Sequence, residues 1–343
     1  MTYKEAFNNG LNIVHKNWQL VLIQVAMIIT NCILFFIFIG IPLAIAFVMF
    51  GLDLTEMTRL KDLLITMREP SEIISRYRGI FLVLLVAFIG YLLVASSIGL
   101  YFFGGSAGLI ARSIRDNTLR FSLKIFFAEG KRLFLPLVGF TAIIGLIFTC
   151  VALVLGIFGG GIGAIIASAR EQEAIFTIFL GIFFSLLLFC TGLILIAFTI
   201  ALALYGLAAV IFKGTGAFKS IKESARYLYH QPRALWLYCI VFSGYIGVSF
   251  ILILLGAPFS FIPIVGPIIA LPYQLFSYTV QSYLGLVILA ITFTYYFSTE
   301  GKSSETPDIT VVPIAEWSSQ TSDTSHFQEP RPETPPQELE KPE

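Results

Sequence analysis

The chain has 343 residues, of which 57% are hydrophobic, 15% aromatic and only 13% charged, and its formal net charge is +1. Soluble globular proteins carry about 25% charged residues. Half that proportion, with 33 phenylalanines, excludes an ordinary soluble enzyme, a disordered scaffold and a nucleic-acid-binding domain.

The N-terminal stretch is polar through Gln19, and the first run without Asp, Glu, Lys or Arg then covers Leu20–Leu52. That run is too long for the core of a secretion signal and lacks a small-x-small cleavage site, so it reads as a retained first span. Further charge-free runs are Ile80–Ala111, Leu133–Ala169, Ala174–Phe212 and Ala234–Thr299. About 20 apolar residues cross a bilayer as a helix, so each of the first four runs holds one long span. The last has 66 residues, about 100 Å as a single helix. Pro258, Pro263, Pro267 and Pro272 break it, because proline removes a backbone donor and clashes within a helix. Spans over 234–255 and 275–297 result. The expected fold class is therefore an all-α, polytopic membrane bundle of six transmembrane helices.

Between the first two runs, Leu54, Met57, Leu60, Leu64 and Met67 suggest a short surface helix ending before Pro70. Residues 301–343 hold nine acidic and three basic side chains among Pro, Glu, Ser and Thr. Such a segment buries too little apolar surface to offset ordering entropy and reads as a disordered acidic tail, with a protein partner as its one candidate role. The membrane domain is then 1–300.

Basic residues orient the spans, since cytoplasmic loops collect Lys and Arg. With the N-terminus inside, thirteen of them fall on the cytoplasmic side of residues 1–233 and six on the other. Both termini are thus expected to be cytoplasmic, in a bacterial cytoplasmic (inner) membrane.

The segments before the odd-numbered spans share a texture: TYKEAFNNGLNIVHKNWQL, RFSLKIFFAEGKRLFLPLV and GAFKSIKESARYLYHQPRAL. Setting Gly10, Gly130 and Ser224 in register aligns three helical stripes. They are Tyr3, Ala6, Phe7, Gly10, Leu11, Val14; Leu123, Phe126, Phe127, Gly130, Lys131, Phe134; and Ala217, Ser220, Ile221, Ser224, Ala225, Leu228. Stripes at this spacing mark amphipathic helices lying in the membrane interface. Each is followed by a span and a Gly- or Pro-broken stretch at Ile39–Pro42, Phe158–Gly163 or Leu255–Pro258. Three tandem repeats over about 2–112, 118–213 and 214–299 are expected, each an interfacial helix plus a helical hairpin.

On these motifs the chain resembles a bacterial six-helix membrane superfamily. It includes the membrane domain of some glycerophosphoryl diester phosphodiesterases and stand-alone proteins of unknown function. AFKSIKESARYLYHQPRALW and the closing span with its paired tyrosines carry the likeness best, over about residues 3–300. The resemblance implies the fold and topology and assigns no activity.

Chemistry is sparse. No long polar region exists for a catalytic barrel, and the spans hold no carboxylate, lysine, arginine or histidine. No catalytic residue, metal ligand or cofactor is expected. His15, His230 and His326 are scattered outside the spans, and Cys32, Cys150, Cys190 and Cys239 all lie in apolar runs. Intramembrane polar candidates are Gln24 and Asn31, seven residues apart, and Gln274, Ser277, Tyr278 and Gln281. Interhelical hydrogen bonding is the plain reading of these groups, and a polar substrate path is the sharper one. The strongest electrostatic feature is eleven basic residues: Arg112, Arg115, Arg120, Lys124, Lys131, Arg132, Lys213, Lys219, Lys222, Arg226 and Arg233. They are candidates for anionic lipid head groups, each contributing on the order of 1 kcal/mol near an anionic leaflet. The expectation is a non-enzymatic protein that binds membrane lipids as a scaffold or envelope organiser, with a permease or channel for a neutral or amphiphilic solute as the alternative.

Overall fold

A computed structural model describes residues 1–56, 78–169, 174–261 and 265–300, and every regular element among them is helical. The expected surface helix of the 53–79 segment and the acidic tail lie outside the described residues, apart from the stretch up to Glu56.

Helix α1 (Tyr3–Lys16) starts from Thr2, whose hydroxyl accepts the Glu5 N–H while the Glu5 side chain bonds back to Thr2 N–H. This reciprocal cap satisfies two N–H groups that a helix start leaves free. At the other end, Asn17 donates its backbone N–H to Ile13 and Val14 and its side-chain amide to the Ile13 carbonyl at 2.9 Å. Helix α2 (Gln19–Phe35) begins at once and runs through a π turn (Phe36–Gly40) into α3 (Ile41–Glu56). The expected break at Ile39–Pro42 is therefore absent. Pro42 has no N–H for the preceding turn; an extra residue there, with Ile41 N–H bonding to Phe36 O, absorbs the ring without ending the helix.

The remaining elements are α4 (Arg78–Arg115), α5 (Leu123–Ala169), α6 (Ala174–Lys213), α7 (Ala217–His230), α8 (Pro232–Gly256), a 3-10 turn (Ala257–Phe261) and α9 (Val265–Glu300). Six helices are long and apolar enough to cross a membrane: Gln19–Met49, Arg78–Arg115, Leu123–Ala164, Thr177–Lys213, Pro232–Phe259 and Ile268–Glu300. The chain is a multi-pass helical membrane protein.

Two expected boundaries move. The second amphipathic segment is no separate element, because α5 continues through Pro136 and through the glycines at 159–163 without interruption. The last helix starts earlier than the expected span, at Val265, with Pro272 inside it. Neighbouring helices in a membrane re-satisfy the groups that an internal proline frees. The α8–α9 turn does break as expected. There Tyr273 packs over Gly256, where a methyl group would lie 2.5 Å from its ring.

Packing is concentrated at one end of the bundle. Val14, Leu20, Leu109, Ile110, Phe126, Leu137, Tyr205, Ile291 and Phe293 are buried there. Toward the far end, Phe47, Val86, Ile157, Phe179, Phe183, Ile251 and Leu271 are exposed. Lipid tails are as apolar as leucine, so hydrophobicity cannot draw such helices together; close approach through small residues can. The packed end is built that way. A methyl group at Gly10 would lie 2.5 Å from Ile291 Cγ1 and 2.8 Å from its backbone N, so α1 rests directly on α9. Gly104, Gly105 and Gly108 of α4 meet Leu137, Phe126 and Glu129 of α5 equally closely, and Gly130 of α5 meets the Tyr101 carbonyl. Gly206 of α6 faces Phe140 and the Ser224 hydroxyl of α7.

The amphipathic segments thus seat on α9, α4 and α6 in turn. Their buried residues fall at matching register: Ala6, Gly10 and Ile13; Phe126, Gly130 and Leu133; Ser220, Ser224 and Tyr227. The expected stripes are rotated by part of a turn. Phe7, Leu123 and Phe127 are exposed, and so is Lys131, so Lys131 does not interrupt the packed face.

Candidate functional site

The packed end carries the basic residues. The C-termini of α4, α6 and α9 meet there, joined by Arg115 donating to the Phe212 carbonyl at 2.9 Å and Lys213 pairing with Glu300 at 2.9 Å. Beneath these contacts an aromatic cluster fills the space between α6, α7 and α9. Phe212 lies 5.6 Å from Phe293 and 5.2 Å from Phe297, while Tyr227 lies 5.1 Å from Tyr296 and 5.2 Å from Tyr205. The Tyr205 hydroxyl donates to the Ala234 carbonyl at 2.8 Å, and Tyr227 and Thr299 share a hydrogen bond of 2.8 Å. Burial pushes the Tyr227 phenol well above its ordinary range, against the opposing pull of the Thr299 bond.

All eleven basic candidates are exposed. The structure brings some of them together around acids that sequence reasoning had not singled out. Glu129, 1% exposed on α5, is held by Arg112 Nε of α4 at 2.5 Å and by an Arg132 Nη at 2.6 Å. Gly108 makes room for it, since a methyl group there would lie 2.7 Å from Glu129 Cβ. Lys213 also approaches Glu223 at 3.9 Å, and Lys219 reaches Glu223 at 4.0 Å. The Arg120, Lys124, Lys131, Lys222, Arg226 and Arg233 side chains make no ion pair or hydrogen bond among the described residues. Only the i, i+3 spacing of Glu129 and Arg132 hinted at a pair; the longer reach to Arg112 had no local signal. In the α4–α5 loop, Asp116 accepts from the Thr118 hydroxyl at 2.6 Å and the Thr118 N–H at 2.9 Å, which holds its carboxyl below the usual range.

Exposed aromatic side chains sit beside this collar. Trp18 and Trp236 open α2 and α8, and Phe7, Phe127 and Phe218 project from the amphipathic segments. Tryptophan favours the headgroup level of a bilayer.

A polar seam descends from the collar between α2 and α4. The Asn17 amide donates to the Ser113 hydroxyl at 3.5 Å, Gln24 to Ser106 at 3.0 Å, and the Tyr91 hydroxyl to Asn31 Oδ1 at 3.1 Å. Gln24 and Asn31, seven residues apart, thus both bond to α4. At the third rung lies an open cavity of about 210 Å³ lined by Met27, Asn31, Leu34, Tyr91, Leu92, Ala95, Ser96 and Ile98. Gln274, Ser277, Tyr278 and Gln281 do not join this seam. Gln274 and Tyr278 are exposed, Ser277 and Gln281 are half-buried, and none of the four side chains hydrogen-bonds to another described residue.

Among the described residues no group of three or more His, Cys, Asp or Glu side chains gathers as a metal site would require. No protein-family model, curated protein or solved structure matches the chain.

Proposed function

We propose that this protein is a non-catalytic six-span scaffold of a bacterial cytoplasmic membrane, binding anionic lipids at a basic cytoplasmic face and built from three tandem repeats. The observation that carries the reading is the collar. Eleven Lys and Arg residues, all but Lys213 with well-exposed side chains, surround the packed end, next to outward-facing Trp18, Trp236, Phe7, Phe127 and Phe218. Aromatic side chains reaching into lipid beside cations reaching into head groups suit an anionic leaflet. The positive-inside rule makes this the cytoplasmic side, with both termini there. The matching buried register of the three amphipathic segments supports the repeats and accords with the six-helix superfamily that the motifs resemble. Neutralising Arg120, Lys124, Lys131, Arg132, Lys219 and Lys222 together is expected to reduce anionic-lipid co-purification sharply; unchanged lipid content would end the lipid reading.

A second reading, passage of a small neutral or amphiphilic solute, is favoured by one observation. Gln274 and Gln281 carry amides without partners among the described residues, and an unpaired amide in hydrocarbon costs about 2–7 kcal/mol. Water or a polar solute along α9 would relieve that cost. The aromatic cluster at the basic end stands in the way of such a route. Flux in reconstituted vesicles that survives Gln274→Leu with Gln281→Leu would eliminate this path.

A further inference from the structure

The eleven basic residues are not equivalent, and the difference lies at Glu129. Among the described residues this nearly buried carboxylate binds two guanidiniums and no other cation, one oxygen to each. Arg112 spends only its Nε and Arg132 only one Nη on the pairing. The rest of each guanidinium makes no hydrogen bond to another described residue. Both side chains remain about half exposed, at 46% and 52%. One carboxylate cannot balance two guanidiniums, and Arg115 adds a third nearby while spending its own donor on the Phe212 carbonyl. The cluster is therefore a fixed pair of forks with uncompensated charge. It is held by a buried anchor rather than by flexible stems, which is the arrangement that matches an oxyanion.

The surroundings narrow the ligand. Leu135, one helical turn beyond Arg132 on α5, is 76% exposed. A ligand on these arginines would carry its anionic group against guanidinium and an apolar body along α5. We propose that Arg112 and Arg132, preset by Glu129, form a discrete site for the phosphate of an anionic membrane lipid. This deepens the lipid-scaffold reading and rests on it. Lys219, Lys222 and Arg226 on α7, with no comparable buried anchor on their forks or ammonium groups, supply diffuse attraction only.

The test uses the full chain in phosphatidylcholine vesicles doped with spin-labelled phosphatidylglycerol, reading the affinity of the immobilised lipid. Three variants separate the explanations. Arg112→Lys with Arg132→Lys keeps the charge and removes the forks; affinity is expected to fall at least about fivefold. Lys219→Gln, Lys222→Gln and Arg226→Gln together remove three charges and are expected to change it less than about twofold. Glu129→Gln is the sharpest arm, because it makes the face more positive. Attraction by net charge alone would tighten binding, whereas loss of the anchor is expected to weaken it. Circular dichroism and thermal unfolding confirm that each variant is folded, and the lysine pair keeps the proposal testable if Glu129→Gln is not. Tighter binding by Glu129→Gln, or an equal fall in the α7 and α4/α5 variants, would overturn the discrete site while leaving the lipid scaffold standing. No response in any variant would remove both. Displacement of the labelled lipid by inorganic phosphate at equal concentration would show that the site takes free phosphate, which also overturns the lipid assignment.

Discussion

Replacing Gly10 by alanine sets two physical effects against each other at a place where the structure decides the winner. Alanine is the better helix former by about 0.8–1.0 kcal/mol, and α1 is a regular helix at this position. Against that gain, the new methyl group would sit 2.5 Å from Ile291 Cγ1 and 2.8 Å from Ile291 N. The side-chain atom can rotate away, but the backbone nitrogen in mid-α9 cannot. Restoring van der Waals distance requires α1 to move outward by roughly half an ångström or more, which loosens Ala6, Ile13 and Val14 with it; overpacking of this kind costs about 1–3 kcal/mol. The net expectation for Gly10→Ala is a loss of up to about 2 kcal/mol. Gly10→Val, with two further methyl groups and less helix propensity, should lose more. The control is Gly145→Ala in α5, where nothing lies within 4 Å of the added methyl group; only the propensity gain remains, so stability should be unchanged or rise by up to about 1 kcal/mol. Reversible unfolding in mixed micelles gives the sign for each variant, and amide exchange along α1 shows where Gly10→Ala acts. If both glycine-to-alanine changes shift stability in the same direction, the contact between α1 and α9 does not have the closeness ascribed to it.

Other consequences are as direct. Gly214 ends α6 at φ +62° with open space around it, so Gly214→Ala should cost about 1–2 kcal/mol from backbone strain alone, measured by the same unfolding assay. Tyr205→Phe removes a buried hydroxyl from the Ala234 carbonyl, with an expected loss near 1 kcal/mol in unfolding free energy. A double-mutant cycle on Gln24 and Ser106 should return a coupling of about 0.6 kcal/mol, a typical value for one interhelical bond in a membrane. The raised Tyr227 pKa means that its neutral phenol contributes stability below the ordinary tyrosine pKa of about 10, which is lost as pH rises through the higher folded value. Tyr227→Phe should therefore remove no phenolate absorbance from the folded protein at about pH 10, the ordinary tyrosine value.

The spans were legible because charge is expensive in hydrocarbon, and a run such as Ile80–Ala111 announces itself by what it lacks. Their ends were less so. Pro42 is absorbed by a π turn and Pro136 by a continuous helix, because neighbouring helices decide whether a freed carbonyl matters. Which part of each amphipathic stripe meets the bundle was not legible, for a related reason. Where solvent is lipid, Phe7 and Phe127 are as comfortable outside as in, so apolar character no longer points to the core. Small size does: Gly10, Gly130 and Ser224, aligned from sequence alone, all sit at helix contacts. At the candidate site the basic residues were visible as a group, yet the pairing of Arg112 with Glu129 joins two helices across a loop and left no periodic trace. Gln24 and Asn31 showed their shared face, whereas their partners Ser106 and Tyr91 emerged only from the antiparallel approach of α4.

The seat of α1 on α9 joins the first helix of the bundle to the last. During synthesis, the surface that Gly10 requires around Ile291 does not exist until the sixth span has left the ribosome. Through most of insertion, α1 must wait at the bilayer surface with its small-residue face uncovered, and the arrival of the final helix closes the circle in one step. A chain halted before α9 would leave that face without a seat.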